Sequence, residues 1–490
     1  MRFGTFASTS LSLVLVSVPA LAKDVPVSDV AGLLAAVAAA QPGDRIVLAD
    51  GTYAISANVR CQTNGTAQAP ITVAAKNPLG ARIESSAVEG FKVTASYWTF
   101  EGLDVKGVCS SDDACEHAFH VSGAAKGVVL RKNRIVDFNA QLKVNAEQVG
   151  GAYASPDDLL VEGNELFDTR PRTTSNPTTK LNIDTGDRVV VRANYIHDFQ
   201  KGGGDGVSYG AFMKSGGKNG LFERNLVVCS DLHAGATRIG LSLGGGGTGA
   251  QFCAPAFNAS VPCDPEHTGG VVRNNVIASC SDVGIYLNKA KDTKLLFNTL
   301  VATAGIDFRF TSSTGIAVGN VLDGKIRGRD GGTFTGTENL ESFTGFEAAF
   351  VDAKRGNLKK KGDLSALLGK GSARPDVLDD YCARTRAGAY DLGAQQLSLG
   401  DCASVLPPEG PTTPPSGPGN PPVDPTNPAP SGTSTSQPPG AATPTTEGNP
   451  AEDSGCSAGP ARSTGSNTEG PAVALLSVLG LALAWKRRRD

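Results

Sequence analysis

An excess of charge of either sign is absent from this sequence. Its 490 residues carry 45 Lys and Arg against 48 Asp and Glu, a net charge of -3. That balance gives no electrostatic case for a nucleic-acid partner. Aromatic residues are scarce, at 6%, whereas glycine supplies 60 residues, a pairing that favours a turn-rich β protein over a helical one. No CxxC pair or Cys/His cluster has zinc-site spacing, which argues against a structural zinc. The glycine run at 244–249 is followed by no GK[ST], so it is not a phosphate loop. The first 22 residues hold only a short apolar run, too short for a membrane anchor. With Arg2 before it and Ala20-Leu21-Ala22 after it, that run reads as a cleaved export signal.

An exported chain keeps disulfides. Of its ten cysteines, Cys109/Cys115, Cys253/Cys263 and Cys382/Cys402 are near neighbours suited to loop staples, although spacing alone does not prove connectivity. Residues 406–455 are rich in Pro, Ser, Thr and Gly and nearly free of large apolar side chains. Such a segment is expected to be a disordered, semi-extended linker, because it cannot bury enough surface to offset its ordering entropy. Residues 456–490 begin at Cys456, continue through an apolar run at 471–485 and end in "KRRRD". The run is expected to be a short transmembrane segment flanked by snorkelling cations. The whole tail resembles the C-terminal sorting tail of myxobacterial exported proteins. That resemblance implies a cell-surface location, or release after processing at Cys456. The tail is the only expected contact with a membrane.

Between these ends the sequence repeats. "VVLRKNRIVDF", "DLLVEGNELF", "RVVVRANYIHDF", "GLFERNLVV", "GVVRNNVIA", "KLLFNTLVA" and "GIAVGNVLDG" share an apolar-x-x-Asn-x-apolar core. The asparagines are Asn133, Asn164, Asn194, Asn225, Asn275, Asn298 and Asn320, spaced 31, 30, 31, 50, 23 and 22 residues apart. Upstream of each lies a short segment of alternating apolar and polar residues, the mark of a half-buried strand. A coil of about 22 residues, lengthened by loops, describes an all-β, right-handed parallel β-helix spanning 23–405, with 326–405 as terminal rungs and a cap. Like side chains at a turn can then hydrogen-bond from rung to rung, and Asn tolerates a left-handed backbone there.

The core of such a solenoid is continuous, so chemistry belongs on its outer face. Placing the apolar residues inside turns Lys92, His120, Lys143, Asn182, Lys214, Ser242, Tyr286, Asn288 and Arg309 outward. Loops at 166–178, 198–210 and 244–268 are expected to wall one side of this strip. A walled polar trough suits an extended sugar polymer. His120, Lys143, Asn182, Tyr286 and Arg309 are its candidate binding residues, and a monomer is expected.

"PGDRIVLADGTY", "APITVAAKNPLGARI" and "YWTFEGLDVKG" are similar to the N-terminal coils of β-helix polysaccharide lyases of the alginate lyase and chondroitinase type. The resemblance covers roughly residues 25–330. It implies β-elimination on a uronic acid, with a lysine base in a K-S-x-x-N context and an arginine about two dozen residues later. "MKSGGKNGLFERN" offers Lys214 and "ATRIGLSLGG" offers Arg238. His233 stands between them as acid or alternative base, with Asp231 to orient it. In that family acidic calcium ligands precede the lysine, whereas here Val207, Ser208, Tyr209 and Gly210 occupy the stretch and only Asp205 is near. The residues therefore assure no cofactor, and calcium stays open. "NIDTGD" at 182–187 echoes the acidic cluster of pectin-type hydrolases, but the companion elements are missing. A non-catalytic adhesin or glycan-binding surface protein is the other reading.

Overall fold

The computed structural model describes residues 23–402, Gly246 excepted. The expected export signal, the expected linker, the apolar run at 471–485 and Cys456 lie outside the described residues. Among those described, strands build three long parallel sheets, one of twelve strands and two of ten. A single turn of chain feeds all three. Trp98–Glu101 enters the twelve-stranded sheet, Asp104–Gly107 one ten-stranded sheet (the flank sheet), and His117–Ser122 the other (the site sheet). Val129–Arg131 then returns beside Trp98–Glu101, with Val129 paired to Thr99. This is a parallel β-helix.

Inward side chains stack on their counterparts one rung away. Phe91 and Phe119 are register partners, and their rings stack at 5.0 Å. Each such Val, Leu, Ile or Phe contributes roughly 1.5–3 kcal/mol on burial. At the lower end the helix Val30–Ala39 lays Leu33 and Val37 over the first coil. Asp29 starts this helix by accepting a 2.7 Å bond from the Gly32 amide. The repeat pattern did not reveal this helix, which covers an otherwise open parallel edge.

The seven asparagines form one buried ladder between the twelve-stranded and flank sheets. Nδ2 of each donates to Oδ1 of the next at 2.9–3.0 Å, from Asn133 to Asn320. An eighth rung, Asn339, extends it. Each amide also bonds the backbone, as Asn225 Nδ2 does with Val191 O at 2.9 Å. The expected left-handed backbone falls one residue earlier, on Lys132 (φ 55), Ala193 (φ 52), Arg224 (φ 54) and Phe297 (φ 52). The asparagine's contribution is thus hydrogen bonding, not tolerance of positive φ.

The strands continue to Thr333–Thr337, but the segment after them does more than close the end. Phe346, Phe350, Leu364, Leu367, Tyr381 and Leu392 pack on Leu226, Val228, Val276, Ala278, Val301 and Val321. The terminal segment is therefore a lateral cover on the outer face of the flank sheet. It explains why Leu226–Val228 and Val276–Ala278 are buried on both faces.

All three expected disulfides form, and a fourth joins Cys229 to Cys280, 51 residues apart in sequence. Cys61 is buried and free.

Candidate functional site

The nine residues assigned outward lie on strands of the site sheet. Lys92, His120, Lys143 and Asn182 are register partners on consecutive strands, and the column continues through Phe212, Ser242 and Tyr286. Rungs stand about 4.8 Å apart, close to the length of one sugar unit in an extended chain. Two residues farther along the strands, Asp184 pairs with Lys214.

Asp184 is the centre of this face. It accepts from Lys143 Nζ on Oδ2 and holds Lys214 Nζ 3.4 Å from Oδ1. Burial opposes its charge, but Lys143 and Lys214 outweigh it and keep the carboxyl below its ordinary range. Lys143 Nζ also donates to Asn182 Oδ1 at 3.1 Å, and Lys214 Nζ lies 4.8 Å above the Phe212 ring. Two ammonium groups thus share one carboxylate, leaving one positive charge at the middle of the strip. Asp184 carries the outward parity of Asn182, the signal by which the sequence could have yielded it.

The loops wall two sides rather than one. Residues 168–177 and 199–206 lie between flank-sheet and site-sheet strands, whereas 244–266 follows the site-sheet strand Thr237–Leu243. On the first side, buried Arg172 binds Asp112 Oδ1 and Asn139 Oδ1, both at 3.1 Å, and its backbone pairs with Lys201. On the second, Tyr153 of the hairpin Glu147–Val149/Ala152–Ala154 stacks on Phe257 at 4.1 Å. These two segments follow site-sheet strands that flank those carrying Asp184 and Lys214. Their aromatic bridge therefore spans the ends of those strands.

Arg238 does not join Lys214. It pairs with Ser208 at the start of the strand that ends in Lys214, so six residues of strand place them roughly 20 Å apart. Its buried guanidinium donates to the carbonyls of Cys229, His233 and Gly235 at 2.7–3.0 Å and to Gln200 Oε1. Those bonds use its donors to hold loop 229–236, which corrects its expected role on a substrate carboxylate. His233 sits with Arg238, its Nδ1 3.3 Å from Nη2 and its Nε2 3.3 Å from Asp168 O. Burial and then the Arg238 charge push its pKa down. Asp231 is 2.7 Å from Arg355 and does not orient the imidazole. Of the expected catalytic set, only Lys214 faces the strip.

The upper strip is also committed elsewhere. Ser242 Oγ donates to Tyr286 O at 3.0 Å, and Tyr286 Oη accepts from Arg309 Nη1 at 3.1 Å. Arg309 is held by Asp330 at 2.6 Å, and Asn288 Nδ2 lies 3.4 Å from Tyr286 Oη. His197 is structural: it stacks between Phe167 and Tyr195 and meets Asp198 at 2.7 Å. Calcium finds no fit at the expected position. Asp205, the one acid near it, is bound by Lys201 Nζ at 2.7 Å and by the Val207 amide at 3.0 Å.

At the lower end a second network was missed from sequence. Lys92 Nζ lies 3.1 Å from both His120 Nδ1 and Glu147 Oε1, and His120 Nδ1 also meets Glu89 Oε1. Burial opposes the Glu89 charge, but His120, Lys92 and His117 hold its carboxyl down at about 2. Burial, with the charges of His120 and Lys143, pushes His117 down to about 3, so it is neutral at pH 7.

Residues 27–146 match the family model for chondroitinase B, a span that contains Lys92, His120 and Lys143 but not Lys214. No curated protein sequence matches the chain. Among solved structures the chain is similar to the pectate lyase Pel9A, with a TM-score of 0.51 and 17% identity over 74% of this chain and 90% of that one. A rhamnogalacturonan lyase follows at 0.42 and 15%, over 72% and 89%. An alginate lyase from Paenibacillus sp. str. FPU-7 gives 0.38 and 16%, over 65% and 95%. The chain is a β-helix protein, lyase-like in fold.

Proposed function

We propose that the walled face of the site sheet is a trough for an acidic polysaccharide, and that the protein is an exported lyase cleaving that polymer by β-elimination. The observation that carries this reading is the Lys143–Asp184–Lys214 cluster, two ammonium groups on one carboxylate with one net positive charge facing the trough. A uronate carboxylate seated there meets Lys143. Lys214, once it has released a proton to solvent, takes the proton from the carbon beside that carboxylate. The electron pair left behind forms the C=C bond, the glycosidic C–O bond breaks, and the leaving oxygen takes up the proton now held by the Lys214 ammonium, which restores the free amine. Lys143 stabilises the negative charge that develops on the carboxylate in the transition state. Of the rest of the column, Lys92 and Asn182 bind neighbouring sugars.

The export signal at 1–22 supports secretion, and four disulfides fit an oxidising compartment. The tail at 456–490 would retain the protein at the cell surface. A glycan-binding adhesin is the second reading, and the separation of Arg238 from Lys214 favours it. The test is incubation of the protein with alginate, pectate and chondroitin sulfate, following absorbance of the new unsaturated uronate. Signal on one polymer supports the lyase. Binding with no signal on any of them overturns it in favour of the adhesin.

A further inference from the structure

We infer that Glu89, His117 and His120 form a site for a divalent transition-metal ion of the zinc class at the lower end of the trough. The inference stands apart from the lyase reading, since metal binding is its own readout. Ligating atoms of the three residues lie within 4.8 Å of one another. Glu89 and His117 are register partners on adjacent strands, and His120 follows three residues later on the same strand as His117. The β-helix thus places two imidazoles and one carboxylate together without a dedicated loop.

The hydrogen bonds of His120 carry the argument further. Asn145 Nδ2 donates to Ala146 O at 2.9 Å, which turns its Oδ1 toward His120 Nε2 at 2.5 Å. An amide oxygen only accepts, so Nε2 carries a proton. Nδ1 then faces two groups with opposite demands, Glu89 Oε1 and Lys92 Nζ. If Nδ1 is bare, its lone pair confronts the carboxylate. If Nδ1 is protonated, its N–H confronts the ammonium. Neither protonation state satisfies both neighbours. A metal ion bound by Nδ1 and Glu89 answers the lone pair and the carboxylate together, and the Lys92 ammonium, which such an ion repels, keeps its bond to Glu147. A ligating imidazole that donates its other N–H to an oxygen is the usual arrangement around such ions.

Two independent observations agree. His117 Nδ1 is buried and has no hydrogen-bond partner. Around the two imidazoles stand Glu89, Glu147 and Glu116 (3.8 Å from His117 Nε2), against Lys92, which Glu147 binds, and Lys143 one rung away, which Asp184 binds. Among the described residues, Glu89 and Glu116 are left without a Lys or Arg ion pair of their own, a negative charge that a divalent cation offsets. A set of two nitrogens and one oxygen selects zinc-class ions and disfavours calcium, which takes oxygen ligands. Three protein ligands leave a coordination position open toward the trough.

The test uses the full chain, stripped with a chelator and loaded with Zn2+ or Co2+. One equivalent of Zn2+ retained through gel filtration and a Co2+ ligand-field spectrum are expected, with Ca2+ unable to displace either. His117→Ala and His120→Ala should abolish retention, and Glu89→Gln, which preserves shape if the histidine variants fail to fold, should weaken it at least tenfold. Lys92→Met should tighten binding, because it removes a competing cation. No retained metal, a full equivalent in the folded Glu89→Gln variant at wild-type affinity, or weaker binding in Lys92→Met would overturn the site.

Discussion

The asparagine corner and the outer face of the site sheet both stack polar side chains on successive rungs, but on opposite principles. At the corner each amide meets the same partners, one rung up and one rung down, and the ladder is neutral and fully buried. On the site sheet no two neighbouring rungs repeat. Lys, His, Lys and Asn follow one another, and their partners come from strand ends and loops. The corner satisfies every group within the fold. The outer face leaves a net charge at Lys143–Asp184–Lys214 and a contradictory set of donors and acceptors at His120. Repetition here marks scaffold, and the proposed chemistry is placed where repetition stops.

Breaking the two regions should give opposite signatures. Lys214→Ala has the largest expected effect: loss of activity of at least about 100-fold, since it removes the base, with an unchanged thermal midpoint. Equal loss of stability would make the lysine structural. Asn225→Ala should do the reverse. It strands the Asn194 amide and the Val191 carbonyl, at a cost of roughly 3 kcal/mol, read from urea unfolding, while the folded fraction retains its specific activity. Arg238→Met should resemble the asparagine variant, losing about 2–3 kcal/mol through unpaired carbonyls and leaving kcat per folded molecule intact. A selective fall in kcat would restore Arg238 to the chemistry.

The last effect, of similar size to that of Arg238→Met, is one of pH. His267 is buried in the core with neither ring nitrogen hydrogen-bonded, and burial pushes its pKa from 6.5 down to about 3. A histidine with a depressed folded pKa stabilises fully above its unfolded value and loses that contribution as pH falls from 6.5 toward 3. Between pH 7 and 4.5 the loss is roughly 2–3 kcal/mol. His267→Leu should flatten this acid limb in urea titrations at the two pH values. An unchanged limb would assign acid sensitivity elsewhere.

The sequence was legible wherever the fold repeats itself. Seven ladder asparagines share an apolar frame, but Asn339 sits in "TGTENLES", where that frame is gone. Cys109–Cys115 is near in sequence, whereas Cys229 and Cys280 each follow a flank-sheet strand on neighbouring rungs. A sequence separation of 51 residues, which includes the loop at 244–266, hides that adjacency. Outward parity placed Lys92, His120 and Lys143 correctly, because it depends only on alternation along a strand. It did not reveal that Arg238, near a strand start, turns into a loop and is consumed by carbonyls. Glu89 and Glu147 escaped notice because their role depends on register across strands 55 residues apart at Lys92 and Glu147. The lateral cover was unreadable for the same reason: its apolar residues follow no coil period and match a surface built from strands between Leu226 and Val321.

A uronate oligosaccharide bound to the Lys214→Ala variant, seen by crystallography, probes the trough most directly. The account predicts a sugar carboxylate within hydrogen-bonding distance of Lys143 Nζ, and the acidic C–H turned toward the position Lys214 vacated. An oligosaccharide seated away from the site sheet, or on it with its carboxylates turned from Lys143, would contradict the account.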